Sequence, residues 1–181
     1  MKPGEGGQYH CLTFAPEAGL LREIPSPIGI SASYDAATTA ADQVPKISMF
    51  TAIWDTGATN STISQAVVDT CGLKQLGVAE VHGVSSVLIQ PTYLVHVQIY
   101  NGPTIESLVA TLGEIPGGDV LIGMDVITLG DFAITNKGGN TVFSFRIPSQ
   151  YTVDYVKELK QQKLVGKPRS NRAVIPRKRG R

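Results

Sequence analysis

An acidic residue follows an apolar run in this chain, in the segment Ile53-Trp54-Asp55-Thr56-Gly57-Ala58-Thr59. A carboxylate at the end of such a run is costly to bury unless hydrogen bonds satisfy it. The backbone amides of a tight Thr-Gly turn can supply these bonds, and Gly57 lets the turn approach another chain closely. Two such carboxylates placed side by side share one proton and can act as acid and base in hydrolysis. Asp55-Thr56-Gly57 is also a serviceable turn, so these residues alone leave a purely structural role open.

Short strands and tight turns surround this segment. Alternating or continuous apolar residues predict strands at residues 47–54, 92–100, 104–112, 120–122, 132–135 and 141–145. A short helix is predicted over 64–71, beginning at Ser64 and ending at Gly72, and one or two helical turns over 123–129. Many short strands with little helix predict an all-β, barrel-like domain of about 100 residues.

The flanks of this domain have a different composition. Residues 1–45 are loosely patterned, and Pro25, Pro27 and Pro45 argue against a long helix, so we expect an N-terminal arm or linker there. A short apolar piece at 9–14 could add a strand to another sheet. Residues 149–181 are expected to form a helix over 151–163 and then a basic, disordered tail. The predicted domain therefore spans residues 46–148.

Composition and charge exclude several classes of protein. The 181 residues are 42% apolar with a net charge of +1, but residues 1–150 carry a net −7 and residues 151–181 a net +8. No run is long enough for a membrane span, and the N-terminus has no apolar signal-peptide core. Cys11 and Cys71 cannot form a four-ligand zinc site by themselves. We therefore expect a cytoplasmic protein with no metal and no cofactor.

Three motifs in order resemble the retroviral-type (retropepsin-like) aspartic proteases. The first is Asp55-Thr56-Gly57-Ala58 after an apolar strand, the second is Val81-His82-Gly83-Val84-Ser85-Ser86 where that family has its flap, and the third is Val120-Leu121-Ile122-Gly123-Met124-Asp125. The helix after the first motif and the Gly-Met-Asp ending look closer to the cellular and bacterial branch, which includes the DNA-damage-inducible shuttle proteins. The resemblance covers residues 46–147 and implies a single closed acid-protease barrel that is active as a homodimer.

The resemblance also implies roles for individual residues. Asp55 would be the catalytic residue, and its active-site loop would include Thr56, Gly57 and Ala58. The substrate-binding flap would include His82, Gly83, Val84 and Ser85, while Ile122 and Gly123 would support the loop from behind. This chain has one Asp-Thr-Gly and no Asp-Ser-Gly, so the second aspartate must come from a second copy. The expected activity is hydrolysis of peptide bonds in peptide or protein substrates, with self-processing as an extension.

Two other functions compete with this one. The same fold could be a weakly active or inactive dimerisation or peptide-binding module, because Thr59 replaces an acid of the viral relatives and the flap contains Ser85-Ser86. A nucleic-acid-binding protein ranks third, since it depends on the basic tail alone and no aromatic residue follows Tyr155. Nucleic acid is therefore not an expected partner. For the tail, a solvated end ranks first, self-processing second and nucleic-acid binding third.

Overall fold

The computed structural model describes residues 10–15, 19–82, 87–100 and 102–164. The chain divides into two units, Met1–Gln150 and Tyr151–Arg181. In the described part of the first unit the strands are β1 (His10–Phe14), β2 (Ile24–Ala32), β3 (Ser48–Trp54), β4 (Thr62–Ile63), β5 (Gln75–His82), β6 (Val87–Ile99), β7 (Thr104–Leu112), β8 (Val120–Ile122), β9 (Asp131–Thr135) and β10 (Val142–Ile147). The helices are α1 (Gln65–Cys71), α2 (Met124–Ile127) and, in the second unit, α3 (Tyr155–Leu164).

Six strands close into a barrel. Their order is β2-β3-β8-β4-β7-β6, and β2 pairs with β6 to complete the ring. β5 pairs antiparallel with the first half of β6 and extends the sheet beyond the ring as a hairpin. The mostly β architecture, with a closed barrel and few short helices, confirms the predicted fold class.

The barrel strands follow the local patterns of the sequence. On β6 the alternate residues Tyr93, Val95, Val97 and Ile99 are buried, as the period of two predicts. The predicted strands at 104–112 and 120–122 coincide with β7 and β8. Helix α1 begins after Ser64 and ends at Gly72, whose φ of 58° is the left-handed conformation that favours glycine.

The structure differs from the expectation of an arm at residues 1–45. β2 is a barrel strand in which Ile24, Ile28 and Ile30 are buried. β3 pairs with β2 from residue 24 to residue 30, whereas β6 pairs with it only from Ile28 onward. Pro25 and Pro27 therefore lie where β2 has a partner strand on one edge alone, and there a proline need not interrupt the sheet.

A second, three-stranded sheet has the order β1-β10-β9. The apolar piece predicted at 9–14 is β1, which pairs antiparallel with β10 along its whole length. The predicted hairpin at 132–135 and 141–145 is β9 and β10. β1 and β10 therefore meet in one sheet although they lie far apart in the chain, so β1 and β2 are integral parts of the domain.

The second unit contains α3. This helix begins at Tyr155 rather than at the predicted residue 151, because the Asp154 carboxylate accepts a hydrogen bond from the Lys157 N–H at 2.9 Å and the Asp154 carbonyl accepts one from Glu158 N–H at 3.0 Å. The predicted disordered tail, residues 165–181, lies outside the described residues.

An ion pair joins the end of β10 to the start of β9. The Asp131 carboxylate pairs with the Arg146 guanidinium and accepts hydrogen bonds from Ser149 Oγ at 2.6 Å and from Gln150 N–H at 2.9 Å. Burial acts to raise the pKa of Asp131, but the hydrogen bonds from Ser149 and Arg146 outweigh it and lower this pKa from 3.8 to about 2.

We predict that this pair makes folding sensitive to acid. The pKa of Asp131 is lower in the folded state than in the unfolded state, so its contribution is present above about pH 4 and is lost as the pH falls toward about 2. Urea denaturation of the wild type and Asp131→Asn at pH 5 and pH 2.5 measures this. The variant should be less stable at pH 5, and the gap should narrow at pH 2.5. A gap of equal size at both pH values, or a matching change in the exposed control Asp42→Asn, would contradict the prediction.

Candidate active site

Asp55 is the first residue after β3. Its N–H donates to the Ile122 carbonyl at 2.9 Å, and this bond continues the parallel pairing of β3 with β8 by one residue. Asp55 is half-buried, whereas the next two residues, Thr56 and Gly57, are exposed. The barrel thus places a carboxylate at its rim, in a loop that faces outward.

The turn after Asp55 provides a hydrogen bond to one of its two carboxylate oxygens. Oδ1 accepts a hydrogen bond from Gly57 N–H at 2.8 Å, and the Ala58 N–H donates to the Asp55 carbonyl at 3.3 Å. A Cβ at Gly57 would lie 3.1 Å from Oδ1, so glycine gives the closest approach. Among the described residues, no hydrogen bond is made to Asp55 Oδ2. That oxygen is therefore open to a ligand or to a second chain.

The loop after Asp55 packs against the start of α2. Gly123 passes directly behind it, because a Cβ at this position would lie 2.6 Å from the backbone carbon of Asn60. The Met124 N–H donates to the Ala58 carbonyl at 2.8 Å. Ile122, one residue earlier, is completely buried. Backbone contacts, rather than flexible side chains, therefore determine the position of the loop.

Asp125 and Ser61 add a side-chain network to this contact. The Asp125 carboxylate accepts hydrogen bonds from both the N–H and the Oγ of Ser61, each at 2.8 Å. The Ser61 Oγ in turn accepts the Gly123 N–H at 3.1 Å, and Ser61 is 1% exposed. Asp125 is thus part of the support for the loop.

Trp54 lies in the core, although it directly precedes Asp55. It is 5% exposed, and its Nε1 donates to Ser26 Oγ at 2.8 Å. Its ring packs at centroid distances of 4.8 to 6.0 Å against three phenylalanines of the second sheet, Phe132, Phe143 and Phe145. Trp54 therefore joins the barrel to the second sheet and anchors the strand that ends at Asp55.

The β5–β6 hairpin borders a groove that lies between the end of β7 and the start of α1. Leu88 and Gln90 of β6 line a cavity of about 680 Å³ together with Ser64, Gln65, Leu112, Gly113, Glu114, Ile115 and Gly118. Ser64 Oγ is buried without a hydrogen-bond partner among the described residues. The sequence indicates only that Ser64 is the residue at which α1 begins. This groove can accommodate part of an extended ligand.

Of the predicted flap, only His82 belongs to the described residues. Gly83, Val84 and Ser85 lie outside them. His82 Nε2 is 3.8 Å from Glu80 Oε2, and both side chains are about 70% exposed, so the pair contributes little to stability. At this position His82 is a solvent-exposed hairpin residue.

The described part of the chain gives little support for a cysteine, histidine or metal-ion catalytic centre. Burial raises the pKa of the Cys71 thiol, against a smaller opposite effect of a hydrogen bond with Ser48, so this thiol is a poor nucleophile. His96 is 4% exposed and is engaged through Nδ1 with Ser107 N–H at 3.0 Å and through Nε2 with the Tyr34 carbonyl at 2.9 Å. No group of three His, Cys, Asp or Glu side chains suited to a metal ion occurs among the residues described.

None of the described helices is long and apolar enough to span a membrane.

Comparison with known proteins finds similarity to solved structures. No family model matches the chain, and no curated protein sequence does. Among solved structures, a retropepsin-like aspartic protease from Rickettsia conorii is similar, with a TM-score of 0.43 and 12% sequence identity over 79% of this chain and 98% of that one.

Proposed function

We propose that this protein is an aspartic endopeptidase in which Asp55 and its symmetry mate form one active site across a homodimer. The observation that supports this most directly is the presentation of Asp55. One carboxylate oxygen is oriented by Gly57 N–H at 2.8 Å, the other has no partner among the described residues, and the loop beyond it is exposed. An isolated rim carboxylate in a rigid, outward-facing loop suits pairing with an identical loop.

The chemistry follows from two carboxylates at one site. Carboxylates about 3 Å apart share one proton, so one is ionised and the other protonated. The ionised Asp55 takes a proton from a bound water, and the water oxygen attacks the peptide carbonyl carbon. The protonated Asp55 donates its proton to the carbonyl oxygen. Collapse of the resulting diol breaks the C–N bond and returns a proton to the amine, giving a carboxylic acid and an amine without a metal or an organic cofactor.

The loop residues would assist as the sequence resemblance implies. Thr56 would join the two active-site loops across the dimer, Gly57 would offer its carbonyl to the substrate backbone, and Ala58 would keep the floor shallow. The exposure of Thr56 and Gly57 supports this proposal, because a partner subunit can reach both.

The substrate would bind as an extended strand beside the β5–β6 hairpin, in the groove lined by Leu88 and Gln90. The hairpin tip, including His82, Gly83, Val84 and Ser85, would close over it. Self-processing of the chain's own flanks is an extension of this proposal. The separate unit Tyr151–Arg181 is the candidate segment, because the end of β10 is itself part of the domain.

A peptide-binding module without catalysis is the alternative. It is favoured by Thr59, which is exposed and supplies no carboxylate beside the loop. Cleavage of a mixed peptide library between pH ~4 and ~7, read by mass spectrometry, distinguishes the two, because a carboxylate pair with one shared proton works in this range. Cuts made by the wild type and absent with Asp55→Asn support the enzyme. Binding of peptides by a dimer that makes no cuts supports the module.

A further inference from the structure

The groove bordered by the β5–β6 hairpin contains a pocket with both polar and apolar walls. It lies where β7 ends, where α1 begins and where the chain approaches β8, and the β5–β6 hairpin covers it through Leu88 and Gln90. Its volume of about 680 Å³ is ample for a long side chain. The apolar residues Leu88, Leu112 and Ile115 offer contacts for a methylene chain.

Three side chains of this pocket have hydrogen-bond acceptor atoms that no described residue occupies. Glu114 is exposed and makes no hydrogen bond or ion pair with another described residue. Ser64 Oγ is buried and has no partner among the described residues, although Ser64 precedes α1 where a hydroxyl would ordinarily cap the helix. The Gln65 Nε2 donates to Asp69 Oδ1 at 2.8 Å, so the Gln65 amide oxygen is left as an acceptor. A buried hydroxyl without a partner is costly, and a ligand with several donors removes this cost.

The sign of the charge is negative throughout this region. Glu114 is the one charged residue among the described residues that line the pocket, and no Lys, Arg or His is among them. The neighbouring Asp119 carboxylate accepts the Thr51 N–H at 3.2 Å and lies at the foot of the same loop. An anionic or purely apolar side chain would leave these acceptors unsatisfied, whereas an ammonium or guanidinium group donates three or more hydrogen bonds.

The pocket lies at a suitable distance from Asp55. β8 consists of three residues and runs parallel to β3, with Asp55 at one end and Gly118 and Asp119 before the other. Because Ala52 pairs with Val120 and the Ser64 N–H donates to the Asp119 carbonyl, Ser64 and Gly118 lie four to five strand positions from Asp55. Strand residues advance about 3.3 Å each, so this part of the pocket is about 13 to 16 Å from Asp55, a distance that an extended peptide covers in four or five residues.

We propose that this pocket binds a lysine or arginine side chain located four or five residues from the bond that is cut, and that Glu114 is the specificity-determining residue. Glu114 supplies the counter-charge, while Ser64 Oγ and the Gln65 amide oxygen accept the remaining hydrogens. The inference rests on the proposed function, to which it adds the class of substrate: extended peptides with a basic side chain near the cleavage site.

Two peptides that differ at one position test this. A peptide that the wild type cuts in the library carries lysine four or five residues from the cut, and its partner carries the uncharged, equally long norleucine. We expect kcat/KM to favour lysine, and Glu114→Gln to reduce this preference about 10-fold. Glu114→Lys should favour a glutamate peptide instead. The control Glu106→Gln, at an exposed position of β7 outside the pocket, should leave the preference unchanged. Equal rates for the two peptides, or a preference unchanged in Glu114→Gln, overturn the inference.

A binding measurement separates this inference from the catalytic proposal. Fluorescence anisotropy of labelled lysine and norleucine peptides with Asp55→Asn requires no cleavage. Tighter binding of the lysine peptide, lost in Asp55→Asn/Glu114→Gln and weakened by salt, supports the pocket even if the wild type cuts nothing. Cleavage of both peptides with no difference in binding is consistent with the proposed endopeptidase activity but contradicts the proposed specificity of the pocket. Failure of the lysine peptide to bind also overturns it.

Discussion

Asp55→Asn should lower kcat/KM for any peptide that the wild type cuts by at least about 10³-fold. Asparagine is nearly isosteric with aspartate and its amide oxygen can still accept the Gly57 N–H, so the turn should be kept. It cannot take a proton from water, however, and it cannot share one with a second carboxylate. The measurement is a steady-state rate with a fluorogenic peptide, together with a urea denaturation curve for each protein.

The control for this experiment is Asp42→Asn, an exposed aspartate in the short 3₁₀ turn Ala41–Gln43. It makes the same chemical change away from the loop and should leave kcat/KM within about twofold of the wild type. Cleavage by folded Asp55→Asn at the wild-type rate would contradict the proposed role of Asp55. An equal loss of activity in both variants would also contradict it.

Gly123→Ala should lower the free energy of unfolding by about 3 kcal/mol. The added Cβ would lie 2.6 Å from the carbon and 2.8 Å from the oxygen of the Asn60 carbonyl, and 3.0 Å from the Ala58 oxygen. These are backbone atoms, so no side-chain rotation relieves the overlap, and the Asp55 loop must move. Urea denaturation measures the loss, and any activity that remains should fall with it.

Gly77→Ala is the matched control, since a Cβ there would meet Thr92 Oγ1 at 3.6 Å, an ordinary contact. Its free energy of unfolding should change by no more than about 1 kcal/mol. Similar losses in the two variants would show that glycine-to-alanine changes are costly in this barrel generally. In that case the contact between Gly123 and the Asp55 loop would not explain the loss of stability, and the prediction would be contradicted.

Local signals explain how much of the fold is predictable from the sequence. β7 and β8 lie where apolar patterns and turn residues place them, and Gly72 ends α1 because its left-handed φ favours glycine. The Asp55 turn is equally local, since its carboxylate and the Gly57 N–H are two residues apart. Such features depend on neighbours in sequence, and their signals are complete within a short window.

Other features depend on partners far apart in the chain. The loose pattern of residues 1–45 does not predict β2, whose prolines lie where only one edge of the strand is paired. Ser61 and Asp125 are 64 residues apart, and the local sequence around either residue does not predict their hydrogen bonds. The pocket beside the β5–β6 hairpin combines Ser64, Gln90 and Glu114 from three separate segments of the chain. The roles of the flap residues and the dimer itself stay predictions, because they involve the hairpin tip and a second chain.

Mixing wild-type and Asp55→Asn chains tests most directly the claim that two Asp55 side chains form one site. The two chains are unfolded together, refolded at a fixed total concentration and assayed with a cleavable peptide. If each site needs an aspartate from both subunits, an equal mixture retains about one quarter of the wild-type activity, since only wild-type pairs are active. The activity should then follow the square of the wild-type fraction. A linear decrease, with about one half remaining in the equal mixture, would mean that each chain acts alone and would contradict the account.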